Sequence, residues 1–443
     1  MSIRENGVRA VLVCELLKEN LQIPLYQRPY SWKPETALQL VDDVKDALDD
    51  HGRSDVPYVL GSVILHKHHD QFDVVDGQQR LLTLLMILAI LDPADSCSVP
   101  IGIDTPVSRV RMALNRRFGL LKVEDRQRLL DFVRKRCQVV RVETDDVDEA
   151  FRVFDSQNYR GKPLAPHDLL KAHHLREMDS ETDAMKVAVV ETWESAKADD
   201  LDRLFSTYLY RIARWSRGES APGFTTHDIA IFKGISRRKA QSPSARYHLA
   251  AQDAIPIMIA WTGSTSESDD REAGRCRFQL DAPQLAGRPF FEMVTFMLQE
   301  LKLLAREAFA GEKSCFGLYD LERLEANDPL EVRPSSNRYR YVAELYLAAL
   351  LYCTNKFGEE DLDEARQQLF VWAYALRVER LRVQFRSIDK RALGEDPSGS
   401  AFSLLRNASS SRAVGQLLAT GRPDDREGHE VELAALLYGR GAQ

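Results

Sequence analysis

The chain has 443 residues, 44% of them hydrophobic and 29% charged, the make-up of a globular protein long enough for about two or three cores. Its net charge of −7 excludes a uniformly basic nucleic-acid coat, though screening leaves room for local basic surfaces. The longest apolar run, residues 81–91, is too short to cross a bilayer, and the opening MSIRENGVRAVLV lacks the pattern of a secretory signal, so a cytoplasmic protein with no membrane role is expected.

In chain order, the first distinctive segment is Ile23-Pro24-Leu25-Tyr26-Gln27-Arg28-Pro29-Tyr30-Ser31-Trp32. Its two prolines hold it extended, and its rings stand among polar Gln27 and Arg28, where they can stack on a base or pack in a core. Residues 37–50 follow with Leu38, Val41, Val44 and Leu48 at helical spacing. Residues 58–65 and 72–75 read as a β-hairpin whose turn holds His66, His68 and His69, expected to be solvated.

The second strand runs into Asp76-Gly77-Gln78-Gln79-Arg80-Leu81, and residues 80–91 read as a buried helix stopped by Asp92-Pro93. A strand, a glycine turn and a helix start form a natural anion site, because unpaired N–H groups and the helix dipole both favour negative charge. Arg80 can grip phosphate oxygens, Gln78 or Gln79 can orient an attacking water, and Asp76 can hold a magnesium ion. The same residues also fit a plain glycine turn in which Asp76 caps the helix and Arg80 makes a salt bridge.

From residue 105 onward the pattern is mostly helical, as at residues 147–154, 169–178, 185–196, 291–309, 341–352 and 362–378. Polar breaks fall at residues 262–270 and 395–400. The six cysteines are scattered, with no Cys-x-x-Cys pair, and read as reduced, mostly buried thiols. Basic residues gather in three places: Arg109 to Arg128 leading into Arg134-Lys135-Arg136, Lys233 to Lys239, and Arg377 to Arg386. Such clusters can track phosphates or be solvated helix faces; DNA contact is expected at Arg134, Lys135 and Arg136. A third motif, Asn158-Tyr159-Arg160-Gly161-Lys162-Pro163-Leu164, turns between two helices ahead of Asp168 and Lys171.

Taken together, residues 23–32, 76–81 and 158–164 closely resemble the hallmarks of the GmrSD-type restriction endonuclease S-subunit amino-terminal domain family, in that family's order. A weaker likeness continues at Gly287-Arg288-Pro289-Phe290-Phe291 and Asn337-Arg338-Tyr339. The resemblance implies a small ParB/sulfiredoxin-like α/β module that binds a nucleoside triphosphate, a large all-α body, and restriction of modified foreign DNA. The expected fold is therefore α+β, divided as residues 1–104, 105–260 and 271–443. The catalytic set expected is Asp76, Gln78, Gln79 and Arg80. The nucleotide contacts expected are Tyr26, Gln27, Arg28, Gly77, Arg80, Asn158 and Arg160, with GTP or ATP and Mg2+ as cofactors and Asp76 as metal ligand.

Relatives often carry a His-Asn-His (HNH) nuclease domain. None of the ten histidines here sits in such a pattern near the carboxyl end, so a separate HNH nuclease subunit is the expected partner, alongside DNA and a possible second copy of the chain. Three readings remain open: a nucleotide hydrolase that licenses a partner nuclease, a ParB-like core that is itself a nuclease, and a sensor of modified DNA without turnover.

Overall fold

The computed structural model describes residues 3–24, 27, 29–51, 56–68, 70–93, 105–145, 165–178, 181–238, 240–262, 267–309, 339–359, 361–418, 433–434 and 437–438. The chain divides into two compact units, Met1–Leu164 and Ala165–Gln443.

The first unit is built on a five-stranded mixed sheet, β1(Ile3–Leu12), β2(Leu21–Gln22), β3(Tyr58–His68), β4(Gln71–Asp76) and β5(Cys137–Thr144), in the order β1-β5-β3-β4-β2. Strands β3 and β4 form the antiparallel hairpin expected from their apolar runs, with Ile64 opposite Asp76. Strand β5 lies between β1 and β3, parallel to β3 and antiparallel to β1. It departs from the helical pattern expected after residue 105. Cys137, Val139, Arg141 and Val142 are all buried, on both faces of the strand, which hides the alternation that marks a half-exposed one.

Helices α1(Val13–Leu16), α2(Pro34–His51), α3(Gln78–Leu91), α4(Pro106–Gly119) and α5(Val123–Lys135) complete this unit. Val41 and Val44 of α2, Leu81 and Leu84 of α3, and Leu114 and Phe118 of α4 share one core with Val63, Leu65 and Val74 of the sheet. Helix α3 is apolar almost all round because it is covered on several sides. His66, expected in a solvated turn, sits instead in β3, buried, with Nδ1 3.7 Å from Asp73 on the paired strand. The strand runs longer than its apolar residues, because a ladder needs backbone, not apolar side chains.

The second unit is helical. Its longest helices are Pro243–Thr262, Arg288–Phe309, Arg340–Phe357 and Leu362–Glu379. The polar break expected at residues 262–270 is shorter than that, since the helix Glu267–Arg277 begins within it. Residues 147–154, expected to be helical, lie outside the described residues. Burial raises the thiols of Cys137 and Cys353 to about 12, so both are protonated packing groups. No described helix is long and apolar enough to cross a membrane.

Buried charge in the second unit is paired. Arg391 is fully buried and donates to Glu379, to Asp396 and to the carbonyl of Trp372. Asp389 accepts from Trp215 Nε1 at 2.8 Å, from Ser220 Oγ and from the Ala221 N–H. The Lys171 ammonium is likewise buried against Glu194. Such groups are costly if orphaned, so each fixes the position of its partners.

His174 plays this part with a neutral ring. Nε2 bonds the Phe232 carbonyl at 3.0 Å, Nδ1 accepts from the Gly287 N–H at 3.1 Å, and the ring stacks on Phe290 at 3.6 Å. Complete burial holds its pKa well below the ordinary imidazole range, with neighbouring His173 pushing the same way. The unfolded chain then binds a proton near pH 6.5 that the folded chain refuses. Stability contributed by the neutral ring is full above that pH and is lost as pH falls, by up to about 1.4 kcal/mol per pH unit. Urea midpoints should accordingly drop on acidification from neutral pH through the ordinary imidazole range, and the drop should shrink in His174→Gln. An equal drop in both proteins would show that other groups govern the acid response.

Candidate functional site

The turn at the end of β4 has the geometry that an anion site needs. Gly77 is left-handed, φ 90°, and stands at the N-cap of α3, where it has no side chain to cap the helix. A Cβ on Gly77 would come within 2.9 Å of Val63 Cγ2 and 3.2 Å of the Ser62 carbonyl oxygen, so both conformation and space require glycine.

Arg80 folds back over the sheet. Its Nη1 donates to the Ser62 carbonyl at 3.0 Å, and its guanidinium lies on Gly61, where a Cβ would be 2.9 Å from Nη1. Burial lowers the Arg80 pKa, and the adjacent Asp76 carboxylate works against that shift. Gly61 and Ser62 thus join the site although no motif names them. The available signal is an isolated glycine inside the apolar run of β3, which marks close approach of another group.

The two glutamines have separate situations. Gln79 Oε1 accepts from the backbone N–H groups of Ser31 at 2.8 Å and Trp32 at 3.3 Å, and its Nε2 donates to the Pro29 carbonyl at 3.3 Å. Tyr30 bonds Thr83 through their hydroxyls at 2.7 Å, and Gln27 Nε2 donates to the Val75 carbonyl at 2.6 Å. The first motif is thus fastened along the second, and Gln79 is the fastener. Gln78 is also buried, yet its Oε1 has no hydrogen-bond partner among the described residues. A buried amide oxygen without a donor is costly unless water or ligand meets it.

The structure therefore brings Gln27 together with Asp76, Gly77, Gln78, Gln79 and Arg80. Tyr26, Arg28, Asn158 and Arg160 lie outside the described residues. The run expected to touch DNA closes α5: Arg134 pairs with Asp92 at 2.9 Å, Lys135 with Asp131 at 3.5 Å, and Arg136 follows the helix end. Among the described residues no group of three or more His, Cys, Asp or Glu side chains forms a metal cage.

A strand, a left-handed glycine and a helix start beside a half-buried arginine form an arrangement that can hold an anion. The family model of the GmrSD restriction endonuclease N-terminal domain matches residues 13–175, a span that holds all three sequence motifs. A second model, described as a family of unknown function (DUF7834), matches residues 185–431, where the weaker likeness at residues 287–291 and 337–339 falls. The chain belongs to the DUF7834 family, and its residues 13–175 are similar to the GmrSD restriction endonuclease N-terminal domain. No curated protein matches the chain.

Two substitutions separate the parts of the site. Gln79→Ala strands the N–H groups of Ser31 and Trp32 and should lower stability by about 1–3 kcal/mol, read as a fall in the melting temperature. Unchanged melting would mean that the fastening is dispensable. Gly61→Ala must displace the Arg80 guanidinium and adopt a strained φ of 111°, costing about 1–3 kcal/mol. A variant that melts like the parent would contradict this packing.

Proposed function

We propose that the amino-terminal unit binds a nucleoside triphosphate, GTP or ATP, at residues 76–80, hydrolyses it slowly, and uses the cycle to license a separate HNH nuclease against modified foreign DNA. The observation that carries the reading is the buried amide oxygen of Gln78, without a hydrogen-bond partner among the described residues, in the first turn of a helix whose N-cap is a left-handed glycine. The family match supports a role in restriction.

In this reading the first-turn N–H groups and the Arg80 fork hold the phosphate oxygens, and they keep that orientation because Gly77 and Gly61 leave room for it. Gln78 orients the water that attacks the terminal phosphorus as the bond to the leaving diphosphate breaks. Rotation of its amide presents either the NH2 group or the oxygen to that water. Gln79 acts as a positioning residue, because both ends of its amide are already bonded to backbone. Asp76 is the residue that would hold Mg2+. One carboxylate at a phosphate turn fits an ion that completes its shell with phosphate and water, and such an ion supplies charge neutralisation on the phosphates.

Purified full-length chain, assayed with each triphosphate with and without modified DNA, tests the assignment. Arg80→Ala should abolish triphosphate binding while costing only about 1 kcal/mol for the missing Ser62 bond. Gln78→Ala should lower kcat by about 100-fold with little change in KM. Plasmid, modified or not, should stay uncut by the chain alone. Normal binding by Arg80→Ala would reject the site. Cleavage that disappears in Asp76→Ala would make the core itself a nuclease, and binding without hydrolysis of any triphosphate would leave a sensor.

A further inference from the structure

The basic residues of the first unit fall into two groups that the sequence alone does not separate. On α5, Arg128 reaches Asp125 at 4.0 Å, Lys135 pairs with Asp131, Arg134 pairs with Asp92, and Arg126 donates to the carbonyls of Gly119 and Leu121. That helix is compensated along its length. Helix α4 is different. It has 14 residues, among them Arg109, Arg111, Arg116 and Arg117, and no acid. Arg117 is taken by Asp42 of α2. Arg109, Arg111 and Arg116 are exposed and make no ion pair among the described residues.

The opposite face of α4, through Val110, Leu114 and Phe118, is buried in the core. The face that carries Arg109 and Arg116 is therefore held rigidly outward, with Arg111 on its flank. Arg109 and Arg116 are two turns apart on one side, about 10 Å along the axis, which is about three base-pair steps along a DNA strand. Met112, 63% exposed, lies between them. In a chain of net charge −7, an acid-free helix face of this kind is a local exception with a strong bias toward anions.

We infer that the outer face of α4, through Arg109 and Arg116 with Arg111 on its flank, is a nucleic-acid surface that grips the phosphodiester backbone of duplex DNA, with Met112 in van der Waals contact between the gripped phosphates. Arginine suits this task because its fork pairs with phosphate oxygens and its charge is weakly hydrated. The surface differs from the Arg134 to Arg136 run, whose first two charges already have partners. The choice of DNA rather than another polyanion rests on the restriction reading above; the location of the surface does not.

The test uses the full chain and a fluorescent duplex of about 25 base pairs, titrated from about 50 to 200 mM salt, conditions over which phosphate neutralisation dominates the response. The triple variant Arg109→Gln, Arg111→Gln, Arg116→Gln should bind more weakly, and its salt slope should be shallower by about 0.9 for each phosphate no longer gripped. Arg128→Gln with Lys135→Gln should keep the parental slope. Both variants change exposed side chains, so parental melting curves are expected. Arg116→Glu alone is a second probe and should weaken binding in the same direction. Triphosphate binding should stay normal in the triple variant, which separates failure here from failure of the phosphate turn. The inference is overturned by a parent chain that does not bind duplex at the lowest salt, by an unchanged slope in the triple variant, or by an equal weakening in the α5 variant. Displacement of the duplex by polyglutamate at equal charge concentration would also overturn it, in favour of an acidic protein segment.

Discussion

The amide of Gln79 fastens together two pieces of chain that lie about fifty residues apart in sequence. It accepts from two backbone N–H groups of an extended segment and donates to a carbonyl of the same segment, while its own backbone belongs to the first turn of α3. An extended, proline-bearing stretch of chain has unpaired backbone groups, and burying them without partners would be unfavourable. One side chain meets several of them. The Tyr30–Thr83 bond and the Gln27–Val75 bond continue the contact in both directions. The turn at Gly77 depends on this fastening, because it fixes what stands beside the helix start.

The turn itself forgoes local stability. A side chain at the N-cap would satisfy the first amides and stabilise α3 by about 1 kcal/mol. Gly77 forgoes that bond and adopts a conformation that other residues resist. Gln78 adds a buried polar atom without a partner among the described residues. Local rules broken together at one place are the usual mark of a site shaped for a ligand. The second unit shows the contrary habit, with Arg391, Asp389 and His174 each provided with several partners.

Much of this is legible in the sequence, for identifiable reasons. The hairpin declares itself through β-branched runs, and the turn through the change from strand to helix period around Gly77. What the pattern does not reveal is pairing at a distance. Gln78 and Gln79 are neighbours of the same type, and nothing local tells which one meets backbone and which does not. The seat of Arg80 on Gly61 is equally non-local, as is the pairing of Arg134 with Asp92. Strand β5 is hidden because a strand covered on both faces loses its alternation and resembles the helices around it.

The position of β5 in the sheet has a consequence for how the unit can be divided. Strand β1, at the start of the chain, pairs with β5, and β5 in turn pairs with β3. The sheet is therefore completed by a strand that is synthesised after helices α1 to α5, so β1 must wait for it. A fragment ending before Cys137 would hold β1 without its partner and would expose the edge of β3 along its apolar residues Val63, Ile64 and Leu65. Such an edge is a template for pairing with another chain, and aggregation is the expected fate of any truncation made there.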